Sequence, residues 1–158
     1  MRYQDQIVRQ TQKALDDICR AALAVPEEKV GWVPMGEARS TLSQMQEIAT
    51  ASAWFLPLIR DRVVPEFGEH ARREAIRLRR SFDTIEKCVE AARSGTSELC
   101  QALAAFPDDE LEQEMQLPFG GGMIMTMADV LAMPQWNMVY HLGQINQIQL
   151  MLGDRDMH

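Results

Sequence analysis

The sequence predicts an all-α protein built as a four-helix bundle. Apolar residues recur at spacings of three and four positions in four separate stretches, which is the period of a helix with one buried face. Few segments alternate apolar and polar residues as a half-buried strand does. Clusters of proline and glycine separate the four stretches. Because each of these helices must bury its apolar face against another element, a bundle is the expected arrangement.

The first two predicted helices occupy the N-terminal part of the chain. The first runs from Tyr3 to Ala24 and ends before Pro26. The segment PEEKVGWVPMGE, with two prolines and two glycines, is typical of a connection. The second helix is predicted from Glu37 to Arg60, and Pro57 weakens its last turn because proline has no backbone N–H.

The third predicted helix follows a segment rich in arginine. Residues 61–80 are the least apolar part of the chain, which favours a connector, part of it helical. Ser81 is the expected N-cap of the third helix, which continues to Phe106. Gly95 stabilises a helix by about 1 kcal/mol less than alanine does, so a break in mid-helix is left open.

A turn-rich passage precedes the last predicted helix. The three successive glycines at 120–122 favour a mobile loop or a short hairpin. Thr126 and Asp129 then form a capping-box pattern, and the last helix is expected to reach about Leu152, where Gly153 ends it. Pro134 lies inside this helix and predicts a kink one turn before Asn137.

Composition limits the classes of function. The 158 residues suit one domain, 1–158, with a formal net charge of -7 that argues against a general affinity for nucleic acid or anionic membranes. The N-terminal residues lack the apolar run of a signal peptide or a membrane span, so a cytoplasmic protein is expected. Cys19, Cys88 and Cys100 form no CxxC pair, which argues against a disulfide framework or a four-thiolate zinc site.

A polar stripe in the last helix is the main functional signal. Asn137, His141 and Gln144 share one helical face at steps of four and three residues, and apolar side chains surround them. Burial of such groups costs free energy unless they are hydrogen-bonded or coordinated. On the second helix, Glu47 is the unusual residue in LSQMQEIATASAWF, and the sequence leaves open whether it points inward.

Three stretches carry a resemblance to a known family. They are WVPMGEARSTLSQMQEIA, DDELEQEMQLPFGGGMIMTMADVL and NMVYHLGQINQIQLMLG. With them, the chain resembles the DinB-like family of metal-dependent enzymes, the group that also includes the YfiT-like thiol transferases. The resemblance covers most of the length and implies a bundle with an up-down-down-up path.

The resemblance also implies a metal site. Family members place one histidine on the second helix and two on the last, four residues apart, the second of which opens an H-x-G-Q motif. In this sequence HLGQ makes His141 that last histidine, while Asn137 and Glu47 occupy the places of the other two. A carboxylate, an amide and an imidazole are a harder ligand set than three imidazoles. Zinc, nickel, iron or manganese is the implied ion, with Gln144 or Tyr140 in a supporting hydrogen bond.

Two functions of different classes follow. The first, implied by the resemblance, is a metal-dependent thiol S-transferase or hydrolase acting on a small molecule, in which the metal lowers the pKa of a bound thiol or water. The second is a non-catalytic small-molecule-binding or stress-response bundle in which Glu47, Asn137 and His141 form a buried polar network. A homodimer is compatible with either, since apolar side chains lie on several faces of the last helix.

Overall fold

Residues 1–156 and 158, which the computed structural model describes, form five α-helices and one two-stranded hairpin. The helices are α1 (Tyr3–Ala24), α2 (Thr41–Leu56), α3 (Glu69–Arg80), α4 (Ile85–Ala104) and α5 (Met127–Met151). The strands are β1 (Glu114–Gln116) and β2 (Ile124–Thr126). Within this part of the chain, no helix combines the length and apolar character needed to cross a lipid bilayer.

The four long helices form the predicted bundle, with α4 and α5 each in contact with both α1 and α2. One apolar cluster joins the C-terminal halves of α1 and α5 to the N-terminal halves of α2 and α4, as Ile18, Ile145, Met45 and Cys88 show. A second cluster joins the opposite ends of the same helices. The helices therefore run up, down, down and up, and the predicted fold class is confirmed.

The start of α2 was predicted too early. The helix begins at Thr41 instead of Glu37, because the Ser40 hydroxyl accepts a hydrogen bond from the Ser43 amide at 3.1 Å and caps the first turn. At its other end the backbone stays helical to Asp61, but from Pro57 onward it is a π-helical turn. Proline breaks the regular hydrogen-bond ladder here, and the chain continues with wider spacing.

The segment predicted as a connector contains α3, and the predicted N-cap of the next helix is wrong. Ser81 follows the last residue of α3, where its hydroxyl donates to the Leu78 carbonyl at 2.6 Å. The cap of α4 is Thr84, whose hydroxyl accepts from the Lys87 amide at 3.3 Å. The third long helix therefore begins at Ile85 and ends at Ala104.

Gly95 does not break α4. A Cβ atom at this position would lie 2.9 Å from the Cβ of Ser52 on α2, which is closer than real side chains approach. The glycine therefore lets α2 and α4 pack at short distance, and this packing compensates for its low helix propensity.

The glycine-rich passage is a short hairpin. β1 and β2 pair antiparallel, with Met115 opposite Met125. Gly120, Gly121 and Gly122 at its tip have φ angles of 62°, 76° and 94°, which residues with a side chain rarely adopt. The Thr126 hydroxyl then accepts from the Asp129 amide at 3.2 Å, as the capping pattern predicted.

Candidate functional site

The polar stripe of α5 meets α2 at Glu47. His141 Nε2 lies 3.2 Å from Glu47 Oε1, and Asn137 Nδ2 donates to the same oxygen at 3.4 Å. Since Asn137 and His141 are one helical turn apart, both can face one side chain of the neighbouring helix. The structure thus brings the three predicted site residues together.

The second ring nitrogen of His141 is also bonded. His141 is 2% exposed, and its Nδ1 lies 3.1 Å from Oε1 of Gln44, a buried residue one turn before Glu47. The Gln44 amide nitrogen donates to the Arg39 carbonyl at 3.4 Å, which orients the amide oxygen toward the ring. Both ring nitrogens of His141 therefore face oxygen atoms of protein side chains.

Two arginines complete the surroundings of Glu47. Arg39 Nη1 donates to Glu47 Oε2 at 2.7 Å, and Arg79 Nη1 lies 3.5 Å from the same oxygen. The hydrogen bond from His141 holds the pKa of Glu47 well below its ordinary value; burial opposes this shift, and Arg39 reinforces it. Glu47 is therefore an ionised carboxylate with three basic side chains around it.

These residues do not fit the metal site that the resemblance implies. Two guanidinium groups beside Glu47 repel a divalent cation, and both ring nitrogens of His141 are bonded to protein oxygens. Asn137 presents its amide nitrogen, which is not a metal ligand. No three His, Cys, Asp or Glu side chains converge as a metal site in residues 1–156 and 158. Metal binding by Glu47, Asn137 and His141 stays a prediction.

Three residues that contact Glu47 or His141 were not identified as site residues from the sequence. Gln44 and Arg39 precede Glu47 by three and eight residues, so helical spacing along the second stretch could have indicated them. Arg79 comes from α3, in the segment expected to be a solvated connector, and no local pattern connects it to Glu47.

Tyr140 and Gln144 lie in the wall of an open cleft of about 520 Å³ between α5 and the N-terminal end of α2 with the segment that precedes it. The Tyr140 ring meets His141 edge-on with centroids 5.3 Å apart and stacks on Trp136 at the same distance. The side chain bonded to the second ring nitrogen of His141 is Gln44, and a supporting hydrogen bond from Tyr140 or Gln144 to a metal shell stays a prediction.

The cysteines lie in the core, as predicted. Cys19, Cys88 and Cys100 are free and buried. Burial raises the pKa of the Cys88 thiol to about 11 and raises that of the other two thiols as well. Protonated, buried thiols are poor nucleophiles.

The fold and the site define a class of protein: an up-down-down-up four-helix bundle with a carboxylate and an imidazole facing each other between its second and last long helices. No protein-family model and no curated protein matches the sequence. Solved structures with this architecture include YfiT from Bacillus subtilis, described as a probable metal-dependent hydrolase with an unusual four-helix bundle topology. The two chains are 11% identical, with a TM-score of 0.77 over 96% of this chain and 88% of YfiT.

Two further structures support the same assignment of fold. A DinB-like protein from Bacillus subtilis is 14% identical, with a TM-score of 0.66 over 97% of this chain and 95% of the other. A mycothiol-dependent maleylpyruvate isomerase is 13% identical, with a TM-score of 0.67 over 90% of this chain and 60% of the isomerase. The resemblance to DinB-like and YfiT-like proteins is therefore confirmed at the level of the fold.

Proposed function

We propose that the protein is a small-molecule-binding four-helix bundle with the DinB-like fold, whose polar centre functions without a resident metal ion. The observation that carries this proposal is the state of His141, whose two ring nitrogens both bond to protein oxygens. In this arrangement neither ring nitrogen is open to a metal ion or to a substrate. The polar centre is then a self-satisfied network that fixes α2 against α5.

The two open clefts beside the network support a binding role. One lies between α2 and α5 and the other, of about 770 Å³, between α2 and α3. Both volumes fall in the range of roughly 300–1,000 Å³ that is usual for small-molecule sites. The network contributes Gln44 and Arg39 to the first cleft and Arg79 to the second, so it holds parts of both walls in place.

Metal analysis tests the proposal directly. Protein purified without a metal-affinity tag should contain far less than one zinc, nickel, manganese or iron ion per chain by mass spectrometry. Its melting temperature should change by less than about 1 °C with each metal or with a chelator, since a ligand that binds only the folded state would raise it. Near-stoichiometric metal that is lost in His141→Ala would overturn the proposal.

A metal-dependent transferase or hydrolase is the second candidate. The convergence of Glu47, Asn137 and His141 favours it, because separations of 3.2 and 3.4 Å are close to the roughly 3.3 Å between two ligands of a tetrahedral zinc ion. It requires the Asn137 amide to turn and a ring nitrogen of His141 to leave its protein partner. The same metal analysis separates the two candidates.

A further inference from the structure

The cleft between α2 and α3 has an apolar wall and one loosely held cation. Ala51, Ala53 and Trp54 contribute from α2, while Leu78 and Arg79 contribute from α3. Glu74 and Arg77 also line the cleft, but they pair with each other at 3.0 Å. No described residue of α3 is buried, so this helix covers the cleft without entering the core. A molecule bound here would contact apolar surface along most of its length and the guanidinium group of Arg79.

Arg79 is held loosely. Its Nε lies 3.4 Å from the Thr50 hydroxyl and its Nη1 lies 3.5 Å from Glu47, and 35% of the side chain is exposed. Arg39 already binds the same Glu47 oxygen at 2.7 Å, and His141 bonds to the other. Arg79 can therefore turn toward a different anion while Glu47 keeps two cationic partners.

Trp54 is a fixed aromatic surface in this cleft. Its ring packs edge-on against Phe55 at 5.3 Å between centroids and lies 5.8 Å from Phe119 in the hairpin loop. A ring held by two aromatic neighbours loses little freedom when it contacts a ligand.

The charges around Arg79 select the kind of anion. Glu74 and Arg77 line the cleft as a mutual ion pair, and Glu47 lies beyond Arg79, so a multiply charged group such as phosphate meets two carboxylates and only Arg79 as a loosely held cation. A planar monoanion matches the fork of one guanidinium group. The cleft between α2 and α5 is a weaker candidate for an acid, because Arg39 is bound to Glu47 and to Ser43 there.

We propose that the α2–α3 cleft binds an aromatic carboxylic acid, with its carboxylate on Arg79 and its ring against Trp54. This inference rests on the proposed function as a binding bundle and names its site and ligand class. The ligand's ring lies along the apolar wall formed by Ala51, Ala53 and Leu78.

Titration calorimetry with 2-naphthoate as the probe and 2-naphthamide as its neutral analogue tests the proposal. We expect the wild-type protein to bind 2-naphthoate at least about tenfold more tightly than the amide, because only the acid pairs with Arg79. Arg79→Gln should remove this preference, whereas Arg80→Gln, the same charge change at the exposed neighbouring residue, should retain it. Absence of binding up to about 1 mM, or an unchanged preference in Arg79→Gln, would overturn the proposal.

A second variant keeps the test informative if Arg79→Gln is unstable. Ala53 is exposed on α2, so Ala53→Leu adds volume to the cleft at little cost to the helix. We expect it to fold and to lose 2-naphthoate binding by about tenfold or more; binding at wild-type strength would place the probe elsewhere. These outcomes are independent of metal content, so failure of this inference is distinguishable from failure of the metal-free proposal.

Discussion

At the scale of single residues, Glu47 is the centre of the site. Its two oxygens receive His141 and Asn137 on one side and Arg39 with Arg79 on the other. The carboxylate is therefore what holds three basic side chains together. Loss of its charge leaves those groups facing one another across a partly buried space.

Glu47→Gln should destabilise the protein at neutral pH. We expect a loss of about 2 kcal/mol in the free energy of unfolding, since charge-assisted hydrogen bonds from α3, α5 and the segment before α2 are weakened together. Chemical denaturation at pH 7 measures this difference. Glu74→Gln is the matched control, because Glu74 pairs only with Arg77 on the same exposed helix at 3.0 Å and should lose less than about 0.5 kcal/mol.

The contribution of Glu47 to the stability of the folded protein should decrease as the pH falls below the ordinary pKa of a glutamate. Its pKa is depressed in the folded state, so its stabilisation is complete above the ordinary value of 4.5 and is lost as the pH falls toward the depressed folded value. The stability difference between wild type and Glu47→Gln should therefore narrow as the pH falls below 4.5. A difference that widens on acidification would contradict this assignment.

At the scale of elements, the close packing of α2 against α4 depends on one small residue, Gly95. Gly95 has low helix propensity, yet α4 is continuous because the glycine allows α2 to approach closely at Ser52. Local propensity and tertiary packing oppose each other at this position, and packing decides the outcome.

Gly95→Ala should therefore destabilise the protein by about 1–3 kcal/mol, although alanine is the better helix former. Gly143→Ala on α5 is the matched control. A Cβ there would meet nothing within 4 Å, so this change should stabilise the protein by up to about 1 kcal/mol. Thermal or chemical unfolding measures the stability of both single variants. The double variant with Ser52→Gly and Gly95→Ala should recover most of the stability that Gly95→Ala loses. Equal stabilisation by Gly95→Ala and Gly143→Ala would show that the close approach of Ser52 to position 95 does not limit the side chain there.

At the scale of the whole molecule, an apolar stripe remains on the outer face of α5. Its large side chains are half-exposed: Trp136 62%, Val139 45%, Tyr140 52%, Leu150 56% and Met151 55%. Trp136, Val139 and Tyr140 lie within one turn of each other, and Leu150 and Met151 lie about two turns beyond Gly143 on the same side of the helix. A second copy of the chain is the occupant that the sequence predicted for this face, and the homodimer stays a prediction.

Analytical ultracentrifugation tests the predicted homodimer. We expect wild-type protein at about 50 µM to sediment as two copies and Trp136→Lys to sediment as one, because a buried charge opposes association at the centre of an apolar interface. Val63→Lys, which alters an equally exposed apolar residue away from α5, should behave like wild type. A monomeric wild-type protein at this concentration would contradict the predicted homodimer.

The sequence by itself determined the elements of this fold. Three- and four-residue spacings predicted the four long helices, Thr126 marked the start of α5, and three glycines marked the hairpin. It also indicated Asn137 and His141, because polar side chains at helical spacing among apolar ones are uncommon without a reason, whereas Glu47 was assigned to the site by the family resemblance. These signals are local, since each depends on residues within a few turns of one another.

Only the tertiary structure decided how the polar groups are satisfied. Arg79 reaches Glu47 from a helix that sequence patterns indicated only in part, and Gln44 bonds to the second ring nitrogen of His141. The placement of Ser52 against Gly95 likewise arises only when α2 and α4 pack. The physical reason is that charge pairing and close packing depend on distances between segments far apart in the chain, and periodicity within one segment carries no information about those distances.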